Sequence, residues 1–139
     1  MLRVHRAAVA LVVAATVLGC VATPQASDAP PTEPVGVVFP TWHVGADGAA
    51  ALLEGRLVLI DRCVYVAPRQ GPPFLVVWPD TVQLAVVDDT PAVLHGSGVV
   101  AHVGGLVRLG GGELTPDMWP ESVAGCDTSQ VWGANSINP

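Results

Sequence analysis

Residues 55–79 read GRLVLIDRCVYVAPRQGPPFLVVWP, and the breaks in this stretch decide the fold. Three short apolar runs rich in β-branched residues, Arg56–Ile60, Cys63–Ala67 and Phe74–Trp78, are separated by Asp61-Arg62 and by Pro68–Pro73. Runs this short, bounded by turn formers, are strands rather than helices. Pro79-Asp80 breaks the chain again.

The same grammar continues downstream. Val82–Val87 alternates, with Val82, Leu84 and Val86 on one face. Asp88–Pro91 turns. Ala92–His95 and Val99–Val103 make a hairpin around Gly96-Ser97-Gly98, and Leu106–Leu109 is a further strand with Arg108 outward. Gly110-Gly111-Gly112 closes the regular region, and Glu113–Pro139 reads as an irregular tail. Upstream, Ala49–Glu54 leads into the first strand through a bulge expected at Gly55. Val35–Phe39, bracketed by Pro34 and Pro40, is an edge strand or apolar strap, and Thr41–Gly48 is a loop.

Leu57–Ile60 and Phe74–Val77 are apolar at consecutive positions. A strand with one wet face alternates, so both faces of these strands need cover. The expected fold is all-β: a small antiparallel, partly open barrel of OB-like type, with strap and tail packed outside it. An exposed patch for a partner is the alternative.

At 139 residues the chain is long enough for one ordinary domain. Half of it is hydrophobic and 13% charged, which excludes a disordered chain. It has no lysine. Beyond Cys20, four arginines stand against twelve acids, a net charge of −8. Such a surface repels nucleic acid and anionic lipid headgroups and suits cationic partners.

Residues 1–19 have the parts of an export signal: Arg3, His5 and Arg6, then 13 uncharged residues from Ala7 to Gly19. That run is short for a membrane span, so cleavage is expected. Val17-Leu18-Gly19-Cys20 resembles the bacterial lipobox. Val17, Gly19 and Cys20 match, whereas Leu18 stands where that family usually has Ala, Ser or Thr. The resemblance implies that the Cys20 thiol receives a diacylglyceryl group and becomes the mature N-terminus. Ordinary secretion, with cleavage after Ala22 or Ala26, is the other reading. Residues 20–34, CVATPQASDAPPTEP, carry four prolines. They read as a disordered tether reaching about 45 Å. The chain thus divides into a signal peptide (1–19), an attachment cysteine with tether and strap (20–48), and a barrel domain with its tail (49–139).

With Cys20 lipidated or lost, Cys63 and Cys126 remain as an even pair in an oxidising compartment, so a disulfide between them is expected. It would tie the tail to the second strand.

Catalytic and metal chemistry find little support. His95 is expected opposite Val99 and His102 opposite Ala92, on opposite faces of the sheet, and His43 lies far away in sequence. No metal site and no cofactor follow. Asp88-Asp89 reads as a solvated turn rather than a Ca²⁺ loop. Ser97 sits beside His95 at a hairpin tip, not on a strand-to-helix elbow. Gly110–Gly112 lacks the Lys and helix of a phosphate loop. Trp42, Trp78, Trp119 and Trp132 suit core packing; Trp42 and Trp119, being in loops, are the candidates for ligand stacking.

Gly55-x-Leu57, Cys63-x-Tyr65, Leu75-Val76-x-Trp78-Pro79, Val103-Gly104, Val107 and Gly110-Gly111-Gly112 together resemble small lipoproteins and secreted proteins of actinobacteria and related bacteria. The resemblance covers about residues 50–132. It implies an exported β-barrel domain and transfers no catalytic residue. The functional expectation is a non-enzymatic cell-envelope lipoprotein, held at the outer face of the membrane by its N-terminal lipid. Its other partner would be an envelope protein, not nucleic acid. The alternatives are an inhibitor or binder of a cationic secreted enzyme such as a lysozyme, and a metal-assisted hydrolase.

Overall fold

The computed structural model describes residues 30–44 and 50–138. The leader, Cys20 and most of the tether lie outside them. In chain order the strands are β1 (Thr41–Trp42), β2 (Ala51–Ile60), β3 (Cys63–Ala67), β4 (Phe74–Pro79), β5 (Val82–Val87), β6 (Thr90–His95), β7 (Gly98–His102), β8 (Leu106–Glu113) and β9 (Val131–Asn138).

Five of these close a ring. β2 pairs with β3, β3 with β4, β4 with β9, β9 with β8, and β8 with β2. Counting barrel strands alone, neighbours run first-second-third-fifth-fourth-first, the order of an OB-type barrel. The fold is all-β as expected, but the barrel is closed rather than partly open. Leu75↔Val131, Val76↔Trp132 and Val77↔Gly133 make the seam. The seam is parallel, as is the short β1–β4 pair, so the sheet is not wholly antiparallel. The cause is the connection 114–130, which returns β9 to the sheet in the same direction as β4.

β9 corrects the reading of the tail as irregular. Only residues 114–130 lack strands, and they hold two single-turn 3₁₀ helices, Pro116–Met118 and Glu121–Val123. Gly110–Gly112 does not end the regular region but lies inside β8, and the bulge expected at Gly55 falls instead between Gly110 and Gly111 on the β8–β9 ladder. The β2–β8 ladder runs unbroken through Gly55↔Val107.

Alternation along each strand sorts two apolar layers. Leu57, Val64, Val66, Val76, Trp78, Val107, Leu109 and Trp132 form the barrel interior. Cys63, Tyr65, Leu75, Val77 and Val131 form a second, outer cluster, with Val38, Trp42, Leu114, Trp119, Val123 and Cys126 packed on it. Strap and connection therefore cover the outside of β3, β4 and β9. This is why Leu75, Val76, Val77 and Trp78, four consecutive residues, are all 0% exposed. Burying side chains of this size is worth roughly 2 kcal/mol each. The strap is fastened by backbone bonds from Val38 N to Arg62 O (2.6 Å) and from Trp78 N to Pro40 O (2.8 Å). Phe39 stacks on Trp78 with centroids 5.3 Å apart.

β5, β6 and β7 form a separate three-stranded sheet, inserted between β4 and β8. Val82, Leu84, Val93 and Ala101 join it to the barrel core. Within it His102 opposes Ala92 as expected, but His95 opposes Gly98 rather than Val99. The turn is tight, two residues long, and a register shift between Val93 and Leu94 restores the ladder. The turns Asp61-Arg62 and Asp88-Asp89 hold both residues at positive φ, the type I′ pattern that matches strand twist.

Candidate binding surface

The outer cluster centres on Cys63. The Cys63–Cys126 disulfide is present, with an S–S distance of 2.03 Å and Cα atoms 5.9 Å apart. Cys63 begins β3 and points outward, so the bond reaches straight to the 114–130 connection. Two residues on, the Tyr65 hydroxyl accepts from the Asp127 backbone N–H at 2.9 Å and donates to the Asp127 carbonyl at 3.3 Å. Burial pushes the Tyr65 phenol pKa up; the Asp127 N–H opposes this, and the charges of Asp127 and Asp61 add to it.

Trp42 and Trp119, the two candidate stacking residues, are brought together in this cluster. Trp42 lies against Gly133, where a Cβ would come within 2.6 Å of its ring, and its Nε1 donates to Ala134 O at 2.8 Å. Trp119 is half-buried and donates to Leu114 O at 3.2 Å. Each indole N–H is thus engaged by the protein itself. Trp78 and Trp132 lie in the interior, and their indole nitrogens have no hydrogen-bond partner among the described residues.

The histidines do not converge. His43 Nδ1 pairs with Asp80 Oδ2 at 2.9 Å on the surface. His95 lines an open groove of about 240 Å³ with Thr81, Asn135 and Ser136. His102 falls on the opposite face of its sheet. Among the described residues, no three His, Cys, Asp or Glu side chains are grouped closely enough to hold a metal ion. Ser97 is exposed at its hairpin tip, and Asp88 and Asp89 are exposed at theirs.

Strap and connection leave the outside of β2 and β8 open. Register places Leu52 beside Gly110, Glu54 beside Arg108, and Arg56 beside Leu106 on this face. Leu52 and Leu106 are 52% and 66% exposed. Arg108 Nε pairs with Glu54 Oε2 at 3.2 Å. At the end of this face, Arg56, Val58, Ala67, Pro68, Arg69, Leu106 and the Gly55 backbone line an open groove of about 330 Å³. Arg108 is outward, as its strand pattern predicts, whereas Arg56 and Arg69 are not among the site candidates that the sequence offers. For Arg56 the signal is the alternation Leu53-Glu54-Gly55-Arg56-Leu57, which sets Glu54 and Arg56 on the outer face; the loop position of Arg69 carries no such signal. No family model, curated protein or solved structure matches the chain.

Proposed function

We propose that the protein is an extracytoplasmic lipoprotein, anchored through Cys20, whose closed barrel is a non-enzymatic binding domain held off the membrane by the tether. The disulfide is the observation that supports this best. It uses both cysteines beyond Cys20, and such bonds persist in oxidising compartments. Cys20 is then the single thiol left, at the end of the leader-like run. The resemblance to small actinobacterial lipoproteins agrees with this. Replacing Cys20 by Ser is expected to move the protein from the membrane to the soluble fraction. Retention in the membrane after that change refutes the anchor.

A second reading, a binder of a cationic secreted enzyme such as a lysozyme, draws on the free acids. Glu54 is the one carboxylate among the described residues paired with an arginine. Asp61, Asp88, Asp89 and Asp127 are exposed and unpaired with any cation. Binding of this kind weakens steeply with salt. Capture of lysozyme that is unchanged between low and high salt rules it out.

A further inference from the structure

We propose that the groove between β2, β8 and the 68–73 loop binds a single amphiphilic anion. Arg56 and Arg69 take its carboxylate or phosphate, and Leu106, Val58 and Pro68 take its apolar body. This rests on the reading of the barrel as a binding domain and does not use the anchor.

The chain has twice as many acids as bases, 12 against 6, yet this groove is lined by two arginines and no acid. The adjacent carboxylate, Glu54, is already held by Arg108. Arg56 spends one guanidinium N–H on the Gly104 carbonyl, which fixes the group and leaves its other donors free. Among the described residues Arg69 has no hydrogen-bond or ion-pair partner, and it sits in a loop stiffened by Pro68, Pro72 and Pro73. Two arginines lining one hollow suit the planar, multi-oxygen face of a carboxylate or phosphate. The rest of the lining asks for a different chemistry. Leu106 is 66% exposed, at the rim. Val58, Ala67 and Pro68 continue the apolar wall. A purely ionic ligand leaves this wall wet, whereas an anion on a short hydrocarbon covers it. The volume fits a small ligand rather than a macromolecule. A bilayer is disfavoured as the source of the anion, because the net charge of −8 beyond Cys20 repels an anionic lipid surface.

The test is calorimetric titration of the full chain carrying Cys20→Ser. Sodium decanoate, decanol and inorganic phosphate are the probes, with phosphatidylglycerol vesicles in a sedimentation arm. Decanoate is expected to saturate one site, with decanol and phosphate each at least about tenfold weaker. Arg69→Gln should weaken decanoate roughly tenfold, as the loss of a charge-assisted bond implies. Arg62→Gln makes the same charge change at the far hairpin end and should shift affinity by less than about twofold. Arg69 is exposed and unpaired, so its variant keeps the fold, and a melting curve checks this. The proposal is overturned if Arg69→Gln binds decanoate like wild type, if decanol binds as tightly, or if only vesicles bind. Such a failure leaves the membrane-release result untouched, because that measurement does not involve the groove.

Discussion

The Trp42 indole donates its N–H to the carbonyl of Ala134 at 2.8 Å, joining the strap to the closing strand across 92 residues of sequence. The same ring rests on Gly133, where a side chain would displace it. Trp42→Phe keeps most of the ring and removes the donor. It should lower stability by about 1 kcal/mol in urea unfolding. Trp42→Ala, which also uncovers β9, should cost about 2–3 kcal/mol. Amide exchange at Gly133 and Ala134 should quicken in both. A Trp42→Phe protein as stable as wild type would show that the bond adds nothing.

Gly55 is required for close approach. A Cβ there would sit 2.7 Å from the Ala67 carbonyl carbon and 2.8 Å from Val66 Cγ1, and closer still to the Ala67 oxygen. β2 passes at this point from pairing with β3 to pairing with β8. Gly55→Val should destabilise by about 3 kcal/mol or more, since backbone cannot move aside as a side chain can. The thermal midpoint reports it, and a midpoint within error of wild type contradicts the packing described.

The disulfide spans 63 residues of sequence. Closing a loop of that size is worth about 4 kcal/mol in the chain-entropy model. The double variant Cys63→Ser, Cys126→Ser should lose stability of that order and retain a β-type circular dichroism spectrum below its melting point. A loss under about 1 kcal/mol would mean that the 114–130 connection is held chiefly by Trp119, Val123 and the Tyr65–Asp127 bonds.

Tyr65 gives the protein an alkaline limit. Its folded-state pKa lies above the ordinary value, chiefly through burial. A proton bound more tightly in the folded state stabilises fully below the unfolded phenol value of about 10. That contribution is lost as pH rises from there through the raised folded value. The chain has no lysine and one tyrosine, and the cysteines beyond Cys20 are bonded, so little else among the described residues titrates there. Urea midpoints from about pH 8 to about pH 11 should hold steady and then fall. Tyr65→Phe should abolish the fall; a fall of equal size in that variant assigns it elsewhere.

Most of the barrel was legible because its strands announce themselves. β4 is an unbroken apolar run between turn residues, and its lack of alternation correctly demanded cover on both faces. Leu57–Ile60 carries the same pattern but is not covered, since Leu59 and Ile60 are 39% and 42% exposed at the hairpin end of β2. β9 was hidden for the opposite reason. Val131–Asn138 reads VWGANSIN, with glycine, serine and two asparagines, and its strand state comes from partners on both sides rather than from its own propensity. Gly110–Gly112 misled likewise: three glycines look like a stop, yet here they are where β8 bulges to meet β9. The cysteine pair was legible from parity alone. The Arg56–Arg69 groove was not, because it joins a strand to a loop that only the β2–β3 hairpin brings side by side.

The parallel seam between β4 and β9 also imposes an order on assembly. Four of the five barrel strands precede residue 114, and none of them can close the ring. Until residues 131–138 arrive, β4 carries an open edge of strongly apolar character, a template for pairing with another molecule. Closure depends on contacts distant in sequence, which makes it slow. Cys126 lies just upstream of β9, so a bond to Cys63 made first would shorten that search and bring the last strand to its slot. The disulfide is thereby a guide for folding as well as a brace for the folded state, and chains that lack it should aggregate from the unsealed seam before they unfold from anywhere else.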